Sequence, residues 1–237
     1  MYILIQKPYF FGVIIVLLFG RAAFSEKTVP YDPTLTAGTI CTVEIAKLRP
    51  TQFAVGKWEV EKRAEKIAQL KPKKLEEYLA DHEAAVVIGP LGVPYLVDGH
   101  HLCCALLKAK IRSTVEVKVQ ANLHRLDRNL FWEVMKDSGW VYLSDENGRG
   151  PFAPDRLPQS VTELADDPYR SLAWAVRERG GWNKSFFSYA EFRWAEFFRP
   201  RVKILDRSSF EQAVVEALNL CHQPEAKDLP GYIPPEK

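Results

Sequence analysis

A chain of 237 residues with 47% hydrophobic and 12% aromatic content can bury a substantial core, which excludes a disordered or fibrous protein. Its 32 basic residues against 30 acidic ones exclude the strong overall positive charge of a generic nucleic-acid binder. No internal repeat or low-complexity tract divides it, so the size suits one domain, or one domain with an extension.

Residues 1–25 differ from the rest. A lysine near the start precedes an apolar run from Tyr9 to Phe19, and Ala23 and Ser25 supply small residues ahead of Glu26. This is the pattern of a secretory signal peptide. The run is short for a membrane span, which needs about 20 residues; an uncleaved N-terminal anchor is the alternative. Either reading places the folded part outside the cytosol, periplasmic or extracellular, with no stable span beyond the leader. Lys7 and Arg21 fall in the leader with no acid, so 30 basic and 30 acidic residues follow it. Lys47 to Lys74 carries nine basic residues against three acidic ones, a modest positive face or simply a solvated helix surface. An exported chain can oxidise its cysteines, and Cys41 with Cys221 would tie the two ends of the domain. Cys103 and Cys104, adjacent in an expected helix, read as packing residues. There is no C-x-x-C and no zinc spacing, so ligand spacing does not point to a divalent metal and the cofactor stays open.

Residues 26–39 are rich in Pro, Thr and Gly and read as an extended lead-in. "ICTVEIAKLRP" alternates as a strand ending at Pro50. "VGKWEVEKRAEKIAQL" is a charged amphipathic helix with Trp58, Ala64, Ile67, Ala68 and Leu70 inward. "KPKKLEEYLADH" is a second helix with Pro72 at its first position. "EAAVVIG" is a buried-type strand, "PLG" a turn and "VPYLV" another strand. Asp98-Gly99 breaks that strand ahead of the apolar helix "HHLCCALLKAK", and Val115, Val117 and Val119 alternate along the next. Residues 40–125 therefore form a small mixed sheet with helices. Residues 126–222 form a helical extension: "RNLFWEVMKDSG", an aromatic strand at "WVYLS" running into a Gly- and Pro-rich loop, then "SVTELADDPYRSLAWAVRERGG", "SYAEFRWAEFFRPRV" and "SSFEQAVVEALNLC". Residues 223–237 read as a loose tail. The class is α+β.

The chemistry concentrates at "DGHH". A helix that opens directly after a strand leaves its first N–H groups unpaired and favours an anion. Gly99 would let an oxygen approach the backbone. His100 and His101 would donate to phosphate or act as acid or base, and Asp98 would orient a histidine or accept a proton. The same residues also make an ordinary Asp-Gly corner with Asp98 as cap.

"YLVDGHHLCCAL", preceded by "LRPTQFAVGKWEVEKRAEKI" and followed by "DDPYRSLAWAVRERGGWNK" and "AEFRWAEFFR", resembles the ParB/sulfiredoxin superfamily, and within it the ParB-like nuclease branch. The likeness runs from about Cys41 to Val202. It implies a phosphate-handling module in which the "DGHH" helix start faces nucleotide or nucleic-acid phosphate. Sulfiredoxins carry a reactive cysteine there and partitioning ParB proteins an arginine-rich motif that binds CTP. This chain has no cysteine between Gly99 and His100, has Leu102 where an arginine follows in some relatives, and shows no helix-turn-helix.

The resemblance places Gln52 beside the phosphates and makes Lys57 and Arg49 candidates for neutralising them. Arg170 and Glu191 fall in the two downstream motifs, Arg170 as a bidentate phosphate ligand and Glu191 as a base or as its salt-bridge partner. Trp174, Trp194, Phe197 and Phe198 recur at helical spacing and read as core. Two functions follow: an exported phosphodiesterase or nuclease, or a non-catalytic nucleotide- or partner-binding module on the same fold. A third reading is a disulfide-stabilised envelope protein whose histidine pair binds metal.

Overall fold

The computed structural model describes residues 28–185, 187 and 189–235; the expected signal peptide at 1–25 lies outside them. In chain order the elements are β1 (Val29–Pro30), β2 (Ile40–Glu44), β3 (Arg49–Pro50), β4 (Ala54–Val55), α1 (Lys57–Ala68), α2 (Pro72–Asp81), β5 (Ala84–Ile88), β6 (Pro94–Asp98) and α3 (His100–Lys108). There follow β7 (Thr114–Asn122), α4 (Arg128–Asp137), β8 (Ala165–Asp166), α5 (Pro168–Glu178), α6 (Ala190–Phe198) and α7 (Phe210–Cys221).

Six strands form one mixed sheet in the order β1-β2-β7-β5-β6-β3. β2 and β6 run antiparallel to their neighbours β7 and β5, while β5 and β7 are parallel. β5 is central and buried on both faces except at the half-buried Ala85, which is why its sequence is a continuous apolar run rather than an alternation. β7 does alternate, and its Val115, Val117 and Val119 point into the core shared with α1 and α3. The opposite face of the sheet is covered by α4 through Phe131 and Met135. The α+β architecture expected from the sequence is the one observed.

A second core lies among α5, α6 and α7, centred on Trp182, Trp194 and Phe198. The expected core aromatics at helical spacing are indeed packed there. Trp58, on α1, packs against this second core, its ring centre 3.8 Å from that of Phe210 on α7.

The joint is made by backbone donors. The first N–H groups of any helix lack partners within it. In α1 they are taken by residues from the other half. Lys57 N–H donates to Asp166 Oδ1 at 2.8 Å, and the N–H groups of Trp58 and Glu59 donate to Ser171 Oγ at 3.2 and 3.4 Å. Asp167 in turn caps α5 by accepting from Tyr169 N–H. The "DDP" run thus closes two helix starts at once, and β4 pairs with β8 directly beside it.

Several expectations change. The strand expected to run to Pro50 ends at Glu44; Ile45–Lys47 is a 3-10 turn, and Arg49–Pro50 pairs as β3 with β6 at the far edge of the sheet. Ala68, expected inward on α1, is exposed. Residues 141–144 are irregular, not a strand, because Tyr142 N–H is spent on the Thr51 carbonyl rather than on a sheet neighbour. The helix expected from Ser160 starts only at Pro168; Val161–Glu163 is a single 3-10 turn and Ala165–Asp166 pairs as β8. The four cysteines are free: Cys41 is buried in the sheet core and Cys221 in the helical core, so they form no tie. The tail is packed as far as Ile233, since Trp194 Nε1 donates to the Pro230 carbonyl at 2.8 Å and Asn183 N–H to that of Gly231.

A Cβ on Gly56 would lie 2.5 Å from Ser171 Oγ and 2.6 Å from Ser171 N. Gly56→Ala is expected to destabilise the protein by about 1–3 kcal/mol, seen as a lower urea midpoint at unchanged slope. Adding Ser171→Ala removes the side-chain clash but not the backbone one, so the double variant should stay below wild type.

Candidate functional site

β6 ends at Asp98 and α3 begins at His100, with Gly99 between them at φ 89°. A Cβ on Gly99 would sit 2.6 Å from that of Ala84. The glycine is therefore required by the left-handed turn and by contact with β5. Its missing side chain faces the sheet, not an incoming oxygen as the sequence suggested. Gly99 N–H donates to Asp98 Oδ1 at 2.7 Å.

His100 and His101 turn back onto the 51–56 loop. Thr51 N–H donates to His100 Nε2 at 3.3 Å, and Gly56 N–H to His101 Nε2 at 3.0 Å. An imidazole that accepts at Nε2 is neutral and carries its proton on Nδ1. Burial pushes His100 down to about 3, with Arg170 adding to it against the Leu96 carbonyl. His101 is held well below its ordinary value by burial and then by Arg170 and Arg63. Neither ring is a cation at neutral pH. The loop is further fixed by Thr51 Oγ1 donating to the Leu96 carbonyl, and Gln52 spends its amide Nε2 on Ala54 O at 2.6 Å.

The positive charge sits across a cleft of about 1070 Å³, bounded by the α3 start, α1, α5 and α6. Gln52, Asp98, Gly99, His100, His101, Arg170 and Glu191 all line it. Lys57 and Arg49 do not. Lys57 borders a separate apolar hollow of about 370 Å³ near Cys104, and the Arg49 guanidinium bonds the Gln159 carbonyl.

The sequence reading missed Glu59, Arg63 and Arg177. Glu59 is only 1% exposed although it lies on a charged helix. Arg63 Nε donates to its Oε1 at 2.7 Å. The other oxygen, Oε2, has no hydrogen-bond partner and lies 3.3 Å from His101 Nε2. Burial raises Glu59 to about 7, Glu191 adds to the rise, and Arg63 opposes it. Glu191 is drawn below the usual carboxylate range: burial alone would raise it, but Arg170 at 3.1 Å and Arg177 outweigh that. The pairing of Arg170 with Glu191 is the structural partnership considered from the sequence. Spacing signals existed: Glu59 and Arg63 are four apart on α1, and Arg170 and Arg177 seven apart on α5.

Arg170 is 4% exposed, and its guanidinium lies 3.5 Å from the centre of the Phe192 ring. Its Nε and Nη1 have no partner. Asp98 opens onto the cleft yet is walled in, so burial raises its carboxyl against the pull of Gly99 N–H, with Glu191 adding to the rise. Among the described residues no group of three His, Cys, Asp or Glu side chains comes together as a metal site.

Residues 41–200 match the family model described as "Putative ParB-like nuclease". The crystal structure of protein Atu1540 from Agrobacterium tumefaciens is similar at a TM-score of 0.73 and 36% identity, over 83% of this chain and 98% of that one. No curated protein matches the chain.

A group whose folded pKa is depressed stabilises the fold above its unfolded value, and that stability is lost as pH falls through the folded value. His100, lowered from 6.5 to about 3, therefore costs stability as pH drops across that window. His100→Asn cannot titrate, so the stability gap between wild type and variant should narrow from pH 7 to pH 4 in urea unfolding. A constant gap would show that His100 is not held neutral.

Proposed function

The chain belongs to the ParB-like nuclease family, and on that premise we propose that its cleft binds a phosphate group of nucleic acid or nucleotide and hydrolyses a phosphodiester bond. The observation that carries this reading is Arg170: a buried guanidinium at the cleft wall with Nε and Nη1 unpartnered. An unpaired buried donor is costly, and a charged, planar fork is suited to phosphate oxygens. Phe192 and Glu191 hold it in one orientation, so little reorganisation accompanies binding. Residues 1–25 support a periplasmic or extracellular location, where nucleic acid is an available substrate.

In this reading Arg170, flanked by Arg63 and Arg177, stabilises the charge that builds on the phosphoryl oxygens. Asp98 accepts a proton from water as the water oxygen attacks phosphorus. The P–O bond to the leaving alcohol breaks, and that proton passes from Asp98 to the leaving oxygen. His100 and His101 act by holding the 51–56 loop against the helix start, since both Nε2 atoms are engaged by its backbone. That same engagement favours a second reading, a nucleotide- or partner-binding module without catalysis.

Labelled single-stranded DNA and RNA, with and without a divalent cation, separate the two. Arg170→Ala is expected to weaken oligonucleotide binding by about 10- to 100-fold, the loss of a charged hydrogen bond. Asp98→Asn is expected to abolish cleavage while binding persists. Binding without cleavage in wild type would favour the module, and unchanged binding by Arg170→Ala would sink both.

A further inference from the structure

We propose that Glu59 is the proton-exchanging residue that sets the anion affinity of the cleft, so that an oxyanion bound at Arg170 enters together with a proton taken up by the Glu59 carboxyl. This rests on the reading of the cleft as an oxyanion site and adds to it the group that adjusts its charge.

Charge balance comes first. Arg63 on its own helix, Arg170 on α5 and Glu191 on α6 act on Glu59 directly, and Arg177 and Asp98 line the same cleft; toward the rim Lys62, Lys66 and Lys184 are matched by Asp81, Glu83 and Glu178. With every carboxyl ionised, three guanidinium groups face three carboxylates, and the inner cleft has no excess positive charge to offer an anion. One proton gained there turns the balance positive and strengthens the attraction for an anion. Both neighbouring imidazoles, His100 and His101, already accept a backbone N–H and are buried among the guanidinium groups, so they are poor recipients.

Of the three carboxyls, Glu191 is held ionised by Arg170 and Arg177. Asp98 opens to the cleft and accepts the Gly99 N–H. Glu59 alone has a buried oxygen without a partner, 3.3 Å from the Nε2 of His101. That nitrogen is an acceptor toward Gly56, so an ionised Oε2 would face a lone pair with no proton between them. A proton on Oε2 removes that repulsion, because the O–H can share the Nε2 lone pair with the Gly56 N–H as a three-centre contact. Burial, which raises Glu59 to about 7, places the exchange near neutral pH. Bringing an anion to Arg170 raises the proton affinity of Glu59 further, and by linkage the proton raises the affinity for the anion.

Sulfate is a suitable probe because it does not titrate between pH 6 and pH 8. Calorimetric titration of the full chain at constant ionic strength is expected to show sulfate affinity falling roughly tenfold from pH 6 to pH 8. Repeating it near pH 7 in two buffers of different ionisation enthalpy should show net proton uptake on binding. Glu59→Gln, which keeps the shape and is always neutral, should bind at both pH values as wild type does at pH 6, with the uptake gone. Asp98→Asn should keep the wild-type pH dependence. Affinity that does not vary with pH in wild type, or a dependence that persists in Glu59→Gln or disappears in Asp98→Asn, overturns the assignment while leaving the phosphate site standing. No sulfate binding at any pH overturns the phosphate site itself and the assignment with it. If Glu59→Gln does not fold, the wild-type proton uptake decides alone, and its absence refutes the role of Glu59.

Discussion

Five backbone N–H groups in one short stretch, those of Thr51, Gly56, Lys57, Trp58 and Glu59, are satisfied by side chains from elsewhere in the chain. His100 and His101 take the first two, Asp166 the third and Ser171 the last two. A loop running into a helix start cannot satisfy these donors itself, and a buried donor left unpaired is expensive. The segment therefore draws α3 and the start of α5 onto itself. The cleft lies where these pieces meet, which is why residues distant in sequence share one wall.

That constraint gives the histidines a definite job. An imidazole at a helix start is an obvious phosphate donor on paper, but a ring that accepts a backbone N–H while surrounded by guanidinium groups stays neutral. The positive charge facing the cleft comes instead from arginines on α1 and α5. Arg170 and Arg177 are tied to one carboxylate, and Arg63 to another. Buried ion clusters of this kind contribute little net stability, because desolvation offsets the attraction. Their concentration on one cleft wall, with donors left open on Arg170, fits a site better than a structural brace.

Much of the fold was legible in the sequence. The buried run of β5, the alternation of β7, Pro72 at the start of α2 and the Asp-Gly break before α3 all follow from local periodicity and turn chemistry. Reading failed where partners were remote. Residues 141–144 looked like a strand by composition but spend a donor on Thr51. Pro230 and Gly231 looked loose in a proline-rich stretch yet are gripped by Trp194 and Asn183. Glu59 looked like one more surface charge on a helix with many.

The sequence by itself determined the α+β class, the order of nearly all the elements and the helix start at which the cleft opens, because those depend on residues within a few positions of one another. It also brought Asp98, His100, His101, Arg170 and Glu191 into view through their motifs. Only the tertiary structure decided which of them carry charge and which hold the frame. Burial, the remote backbone donors of Thr51 and Gly56, and the meeting of α1 with α5 and α6 set those protonation states, and none of these is a local property of the chain.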